Sequence, residues 1–168
     1  MNYFCPMNLM VRKGTKDDMA AVYALVCELA LFEKAPEQVI TSVEQMQQDG
    51  FGEHPVFYSL VAELDGKVVG AAVYFLKYST WKGRGIYLDD IVVTESCRGK
   101  GIGSKLFGAL IVEAEAMKVN QLHWQVLDWN TPAIKFYEKY KAEFDNEWIN
   151  CKLNFSTVKS AEEMIKQQ

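Results

Sequence analysis

At 168 residues and 19.1 kDa the chain can bury one sizeable core, and the usual domain size makes 1–168 a single domain. A content of 49% hydrophobic and 12% aromatic residues excludes a disordered or low-complexity polypeptide. The formal net charge of −4 argues against a nucleic-acid partner and suits a cationic substrate, and no apolar run approaches the ~20 residues that span a membrane.

Residues 1–7 read as a short N-terminal extension ahead of a strand at 9–12. Thr15, with Asp17 and Asp18 in the next turn, marks a helix start; Met19, Val22, Val26 and Leu29 carry that helix to about Phe32, and Pro36 ends it. A shorter helix covers 42–48 and is expected to close at Asp49-Gly50, followed by a turn at 52–55. Strands at 56–63 and 67–78 meet at Asp65-Gly66, a strong hairpin signal. A loop through Trp81 and Gly85 leads to a central strand at 86–93. Ile102, Leu106, Leu110, Ala114 and Met117 then recur at helical spacing. A strand at 122–127 follows. Thr131-Pro132 opens a helix that carries Ile134, Phe136, Tyr137 and Tyr140, because Pro suits the first helical position. A final strand at 148–155 and a charged tail at 160–168 complete the order. This succession predicts an α+β fold, a mixed sheet with helices on its faces.

Cys5, Cys27, Cys97 and Cys151 form neither a C-x-x-C pair nor a metal motif with His, so no metal is expected. With no export signal, the reading is a reduced, cytoplasmic protein. His54 and His123 are isolated and read as structural, and no G-x-S-x-G elbow occurs.

Chemistry concentrates between the central strand and the helix after it. Arg98, Gly99, Lys100, Gly101, Ile102, Gly103 and Ser104 form a glycine-rich loop that feeds a helix N-terminus. Unpaired N–H groups and the helix dipole both favour an anion there. The spacing is not that of a P-loop, since no Gly-Lys-Ser/Thr follows at the required distance, and Ser104 breaks the dinucleotide pattern. The pattern it does satisfy is [R/Q]-x-x-G-x-[G/A]. This resembles the acetyl-CoA pyrophosphate loop of the GNAT N-acetyltransferase superfamily, and the order of elements from Asn8 onward is similar to that family's fold, a mixed, mostly antiparallel sheet flanked by helices.

The resemblance implies an enzyme with acetyl-CoA as co-substrate, acetylating an amine by direct attack in a ternary complex. Main-chain groups of Ile91, Val92 and Val93 would pair with the pantetheine amides as an added strand. Asn130, Ala133 and Tyr137 fall in N-x-x-A-x-x-F-Y, similar to a GNAT helix signature. Asn130 and Ala133 are thereby assigned to the cofactor side, and Tyr137 to general-acid duty at the CoA sulfur. Asp89 and Asp90 end the central strand. Alternation along a strand sends them to opposite faces, so only one is expected to meet the amine. Asp89 stands where the family usually carries Glu, one methylene longer; it is read as the amine binder and as a base, direct or through a water.

Longer strings narrow the likeness. E-L-A-x-F-E at 28–33, D-G-F-G-E-H-P at 49–55, Y-S-T-W-K-G-R at 78–84, I-Y-L-D-D at 86–90 and L-D-W-N at 127–130 resemble the diamine (spermidine/spermine) and thialysine N-acetyltransferase branch. Glu33, Trp81 and Asp89 match positions of its acidic, aromatic amine groove, and Phe32 beside Glu33 and Asp90 beside Asp89 are read as further substrate-binding candidates, a setting that also suits a polycation physically. Two departures stand out: Ser79 replaces an acid expected before the Trp, and Lys141 replaces a Gly after the catalytic helix. The branch also implies a homodimer. A peptide or protein N-acetyltransferase, or a non-catalytic acyl-CoA-binding module, would share the loop.

Overall fold

The structure is a computed structural model that describes residues 8–154. Within them, residues up to Gln125 form one compact unit and those from Val126 a second. The N-terminal extension, Cys5, Phe155 of the expected last strand and the charged tail lie outside the described residues.

The first unit is a five-stranded sheet in the order β1-β2-β3-β4-β5 with three helices. Its strands are β1 (Leu9–Lys13), β2 (Tyr58–Leu64), β3 (Lys67–Ser79), β4 (Gly83–Val93) and β5 (Gln121–His123). The first four pair antiparallel and β5 runs parallel to β4, so the expected mixed, mostly antiparallel sheet is found. The β2–β3 hairpin turns at Asp65 (φ 50°) and Gly66 (φ 82°), the pair of left-handed residues that a tight turn matched to strand twist demands.

Helix α1 (Met19–Phe32) starts later than Thr15 implied. A 3-10 turn at Lys16–Asp18 comes first, where the Thr15 N–H and hydroxyl both donate to Asp18 Oδ2 at 2.8 Å. Asp18 also receives Arg12 of β1, which holds its carboxyl down at about 2. Helix α2 (Val43–Phe51) is capped by the Ser42 hydroxyl and runs through the expected stop at Gly50. Gly50 is there for packing: a Cβ would lie 2.8 Å from the Phe57 ring.

Both faces of the sheet are covered. Met19, Val22, Leu25 and Met46 pack on Val61, Ala71, Val73 and Val92. On the other face lies α3 (Ile102–Ala116), with Leu106, Phe107 and Leu110 buried over Tyr74, Ile86 and Leu88. Gly70 allows that approach, since a Cβ would meet Leu106 Cδ1 and the Val92 carbonyl oxygen at 3.0 Å.

One irregularity positions everything that follows. Tyr74 pairs with Leu88 but Val73 pairs with Asp90, so Asp89 is an extra residue on β4, a β-bulge. Side-chain parity flips there: Ile86 and Leu88 belong to the α3 face, whereas Asp90 and Val92 belong to the α1 face. Beyond the bulge β4 parts from β5, which pairs only with Gly85–Tyr87. The strand expected at 122–127 is shortened for that reason, because a ladder cannot continue across a bulged partner. Trp124 instead sets its ring edge-on to Phe107 of α3 (5.4 Å, 78°), while His123 faces Tyr87.

In the second unit, α4 (Thr131–Glu138) has Pro132 in its first turn and Asn130 as its cap. Lys141 takes the left-handed conformation (φ 57°) that Gly adopts more cheaply, so the chain leaves α4 much as a Gly would allow. Residues 148–154 are irregular, contrary to the expected final strand. Alternating sequence makes a strand only where a neighbour offers a ladder, and no strand pairs with this segment among the described residues.

Candidate active site

The glycine-rich loop joins β4 to α3 through a 3-10 turn at Glu95–Cys97. Gly99 (φ 76°) and Gly101 (φ 77°) are both left-handed and face open space, and Gly101 is the N-cap of α3. No side chain caps the helix, so its first-turn N–H groups, at Ile102 and Gly103 and running on to Ser104, point into the loop without an intrahelical acceptor. Nothing in this cradle conflicts with a bound pyrophosphate. Lys100 folds back, its Nζ donating to the Ser96 carbonyl at 3.2 Å.

Arg98 does not point into the cradle. Its Nε donates to the Val93 carbonyl at 2.9 Å, its guanidinium carbon sits 5.4 Å from the Phe32 ring centre, and Nη2 lies 3.7 Å from Glu28 Oε1. The same Glu28 carboxylate accepts from the Thr94 hydroxyl at 2.9 Å and from the Glu95 N–H at 2.7 Å.

Ile91, Val92 and Val93 pair with β3 along one edge only. Among the described residues no strand pairs with their other edge, which leaves main-chain donors and acceptors for an extended ligand.

Three carboxylates gather at the bulge. Asp90 is held at about 6, pushed up by burial first and then by the charges of Asp89 and Glu33. Partial burial, which leaves some of each side chain in solvent, raises Asp89 and Glu33 as well. The alternation that would separate Asp89 from Asp90 is broken here, since Asp89 is the bulge residue and remains exposed while Asp90 turns toward the α1 face. Glu33, the C-cap of α1, reaches that face too. Sequence reasoning placed the main burden on Asp89; the larger perturbation belongs to Asp90.

Trp81 stands apart, 83% exposed in the β3–β4 turn. Five residue steps along the strand take the chain from Gly83 to Leu88, roughly 17 Å at strand rise. Ser79 serves the turn: its Oγ accepts from the N–H groups of Trp81 and Lys82 at 3.2 Å each. In the second unit Asn130 Oδ1 accepts from the Ala133 N–H at 3.3 Å, which commits that side chain to capping α4. Tyr137 is 6% exposed, its ring set at 69° to that of Phe136.

Glu28 escaped the sequence reading. The signal was present: Glu28 and Phe32 are four apart and share one face of α1, and both meet Arg98. The bulge left no comparable local trace.

Residues 21–141 match the Acetyltransferase (GNAT) family. Thialysine N-epsilon-acetyltransferase of Bos taurus is 41% identical over 143 residues, covering 80% of this chain and 84% of that protein. Human spermidine/spermine N(1)-acetyltransferase-like protein 1 is 33% identical over 144 residues, which cover 82% of this chain and 20% of that longer protein. Among solved structures, an aminoglycoside N-acetyltransferase in complex with CoA has a TM-score of 0.72 at 16% identity, over 90% of this chain and 99% of that one, a likeness of fold. The chain belongs to the acetyltransferase (GNAT) family, and acetyl-CoA is its acyl donor.

Proposed function

We propose that this acetyltransferase acts on a primary amine of a small diamine, polyamine or thialysine-like molecule. The observation that carries the reading is the convergence of Glu33, Asp89 and Asp90 beside a strand edge open for the acyl donor. Burial raises all three carboxyls, and the charges of the other two raise Asp90 further, a costly arrangement that a cation relieves. The names of the relatives, a thialysine acetyltransferase and a spermidine/spermine acetyltransferase-like protein, point to the same substrate class.

An alkylammonium has a pKa of about 10.4, so roughly one molecule in a thousand is neutral near neutral pH. Asp89, exposed on the bulge, is assigned to bind the ammonium and take its proton, directly or through a water; Asp90 and Glu33 hold the field that draws the cation in. The loop from Arg98 to Ser104 grips the phosphates of the donor, and Ile91, Val92 and Val93 align its pantetheine arm. Tyr137 is assigned to donate a hydrogen bond to the sulfur as charge develops there. Trp81 serves as a distal wall only for an amine long enough to reach it. We take the protein to act as one domain, a reading supported by a family match that runs through both units, and as a homodimer in a reducing cytoplasm, where Cys27, Cys97 and Cys151 stay free. No helix among the described residues is long and apolar enough to cross a membrane.

Thiol release from acetyl-CoA across a panel of diamines, polyamines, thialysine and N-terminal peptides tests the substrate class. Turnover is expected with the small amines; CoA-competent protein that turns over only peptides would refute the reading. Tyr137→Phe is expected to lower kcat by about a hundredfold, the scale of general-acid assistance, while CoA affinity stays within about twofold.

A further inference from the structure

We infer that Glu28 is a positioning residue for acetyl-CoA, the clamp that fixes the corner between the pantetheine strand and the pyrophosphate loop. The inference rests on the reading that the loop after Arg98 grips the donor. The corner is short: β4 ends at Val93, a 3-10 turn follows at Glu95–Cys97, and the loop opens at Gly99. Two left-handed glycines with open space around them impose little order of their own. Order has to come from outside the loop.

Glu28 brings it from α1. One carboxylate oxygen takes the Thr94 hydroxyl, and the other takes the Glu95 N–H and lies nearest the Arg98 guanidinium. Arg98 then returns to the Val93 carbonyl, closing a ring of contacts around the corner. Phe32, one turn further along α1, backs the guanidinium. Charge-assisted bonds of this kind are short and roughly twice as strong as neutral ones. Holding the N–H groups of the cradle in their binding geometry before the ligand arrives removes an ordering cost from binding, and the benefit appears as donor affinity. Amine binding and the chemical step, which depend on Glu33, Asp89, Asp90 and Tyr137, draw nothing from it.

The test compares wild type, Glu28→Ala, Glu28→Gln and Thr94→Val by CoA calorimetry, steady-state kinetics in both substrates and thermal melts. Glu28→Ala is expected to raise the CoA Kd and the KM for acetyl-CoA by about tenfold, equivalent to about 1.4 kcal/mol, with kcat and the amine KM within about twofold. Glu28→Gln keeps one acceptor and is expected to fall between; Thr94→Val removes one arm and should show a smaller rise of the same kind. Unchanged CoA affinity in Glu28→Ala, or a fall in kcat that merely tracks lost folded protein in all three variants, overturns the inference alone. Wild-type protein that ignores CoA overturns the loop reading and this inference with it.

Discussion

At Asp90 the fold holds a carboxyl at about 6 instead of 3.8, through burial and the neighbouring charges of Asp89 and Glu33. The consequence for stability has a definite sign. Between those two values the folded chain binds more protons than the unfolded one, so stability falls as pH rises through that window. Below it both states are protonated, and the penalty vanishes. Asp90→Asn is therefore expected to stabilise the protein by about 1–3 kcal/mol near neutral pH and hardly at all near pH ~4. Melts at the two pH values check this. The same substitution is expected to damage amine use, because it removes a charge from the cluster. In wild type, log kcat/KM for the amine is expected to steepen below about pH 6 as Asp90 takes up a proton, in addition to the slope set by amine protonation. In Asp90→Asn that extra slope is expected to disappear. A variant more stable yet less active marks the acids as built for the ligand and not for the fold.

Elements differ in how far their own residues announce them. The Asp65-Gly66 hairpin and α3 were legible because their causes are local: two residues that tolerate left-handed φ, and an apolar stripe at helical period. So were the loop glycines and the α4 motif. The bulge at Asp89, the early end of β5 and the irregular course of 148–154 were not, since each depends on what a neighbouring strand offers. The site inherits that division: the acids could be named from the sequence, but their convergence follows from the parity change in β4. Gly50 shows the same limit inside one helix. Local rules make it a stop, yet it lies within α2 against Phe57. Gly50→Ala is expected to destabilise by about 1 kcal/mol, the overpacking cost exceeding the helix-propensity gain. A methyl added at Gly108 in α3 would meet nothing within 4 Å, so Gly108→Ala is expected to stabilise by about 0.5–1 kcal/mol. Denaturant titrations of the two variants should give shifts of opposite sign.

For the molecule as a whole, one net charge meets two substrates of opposite sign. The chain carries a formal −4, and the acids at the bulge add a local negative field. A polyamine approaching that field is drawn in, and the attraction acts over about one Debye length, near 10 Å at ~0.1 M salt and 3 Å at ~1 M. Acetyl-CoA, a polyanion, meets the same net charge as a repulsion and, on the proposed reading, depends on short-range contacts with the loop. Added salt should therefore move the two specificities apart. Raising monovalent salt from about 0.05 to 0.5 M is expected to lower kcat/KM for a triamine several-fold and for a monoamine much less, because each further cationic centre adds to the steering. Under the same change kcat/KM for acetyl-CoA is expected to hold or rise. Equal salt sensitivity for the triamine and the monoamine would mean that the carboxylates do not act together on an extended cation, and that a single Asp–ammonium contact accounts for amine binding.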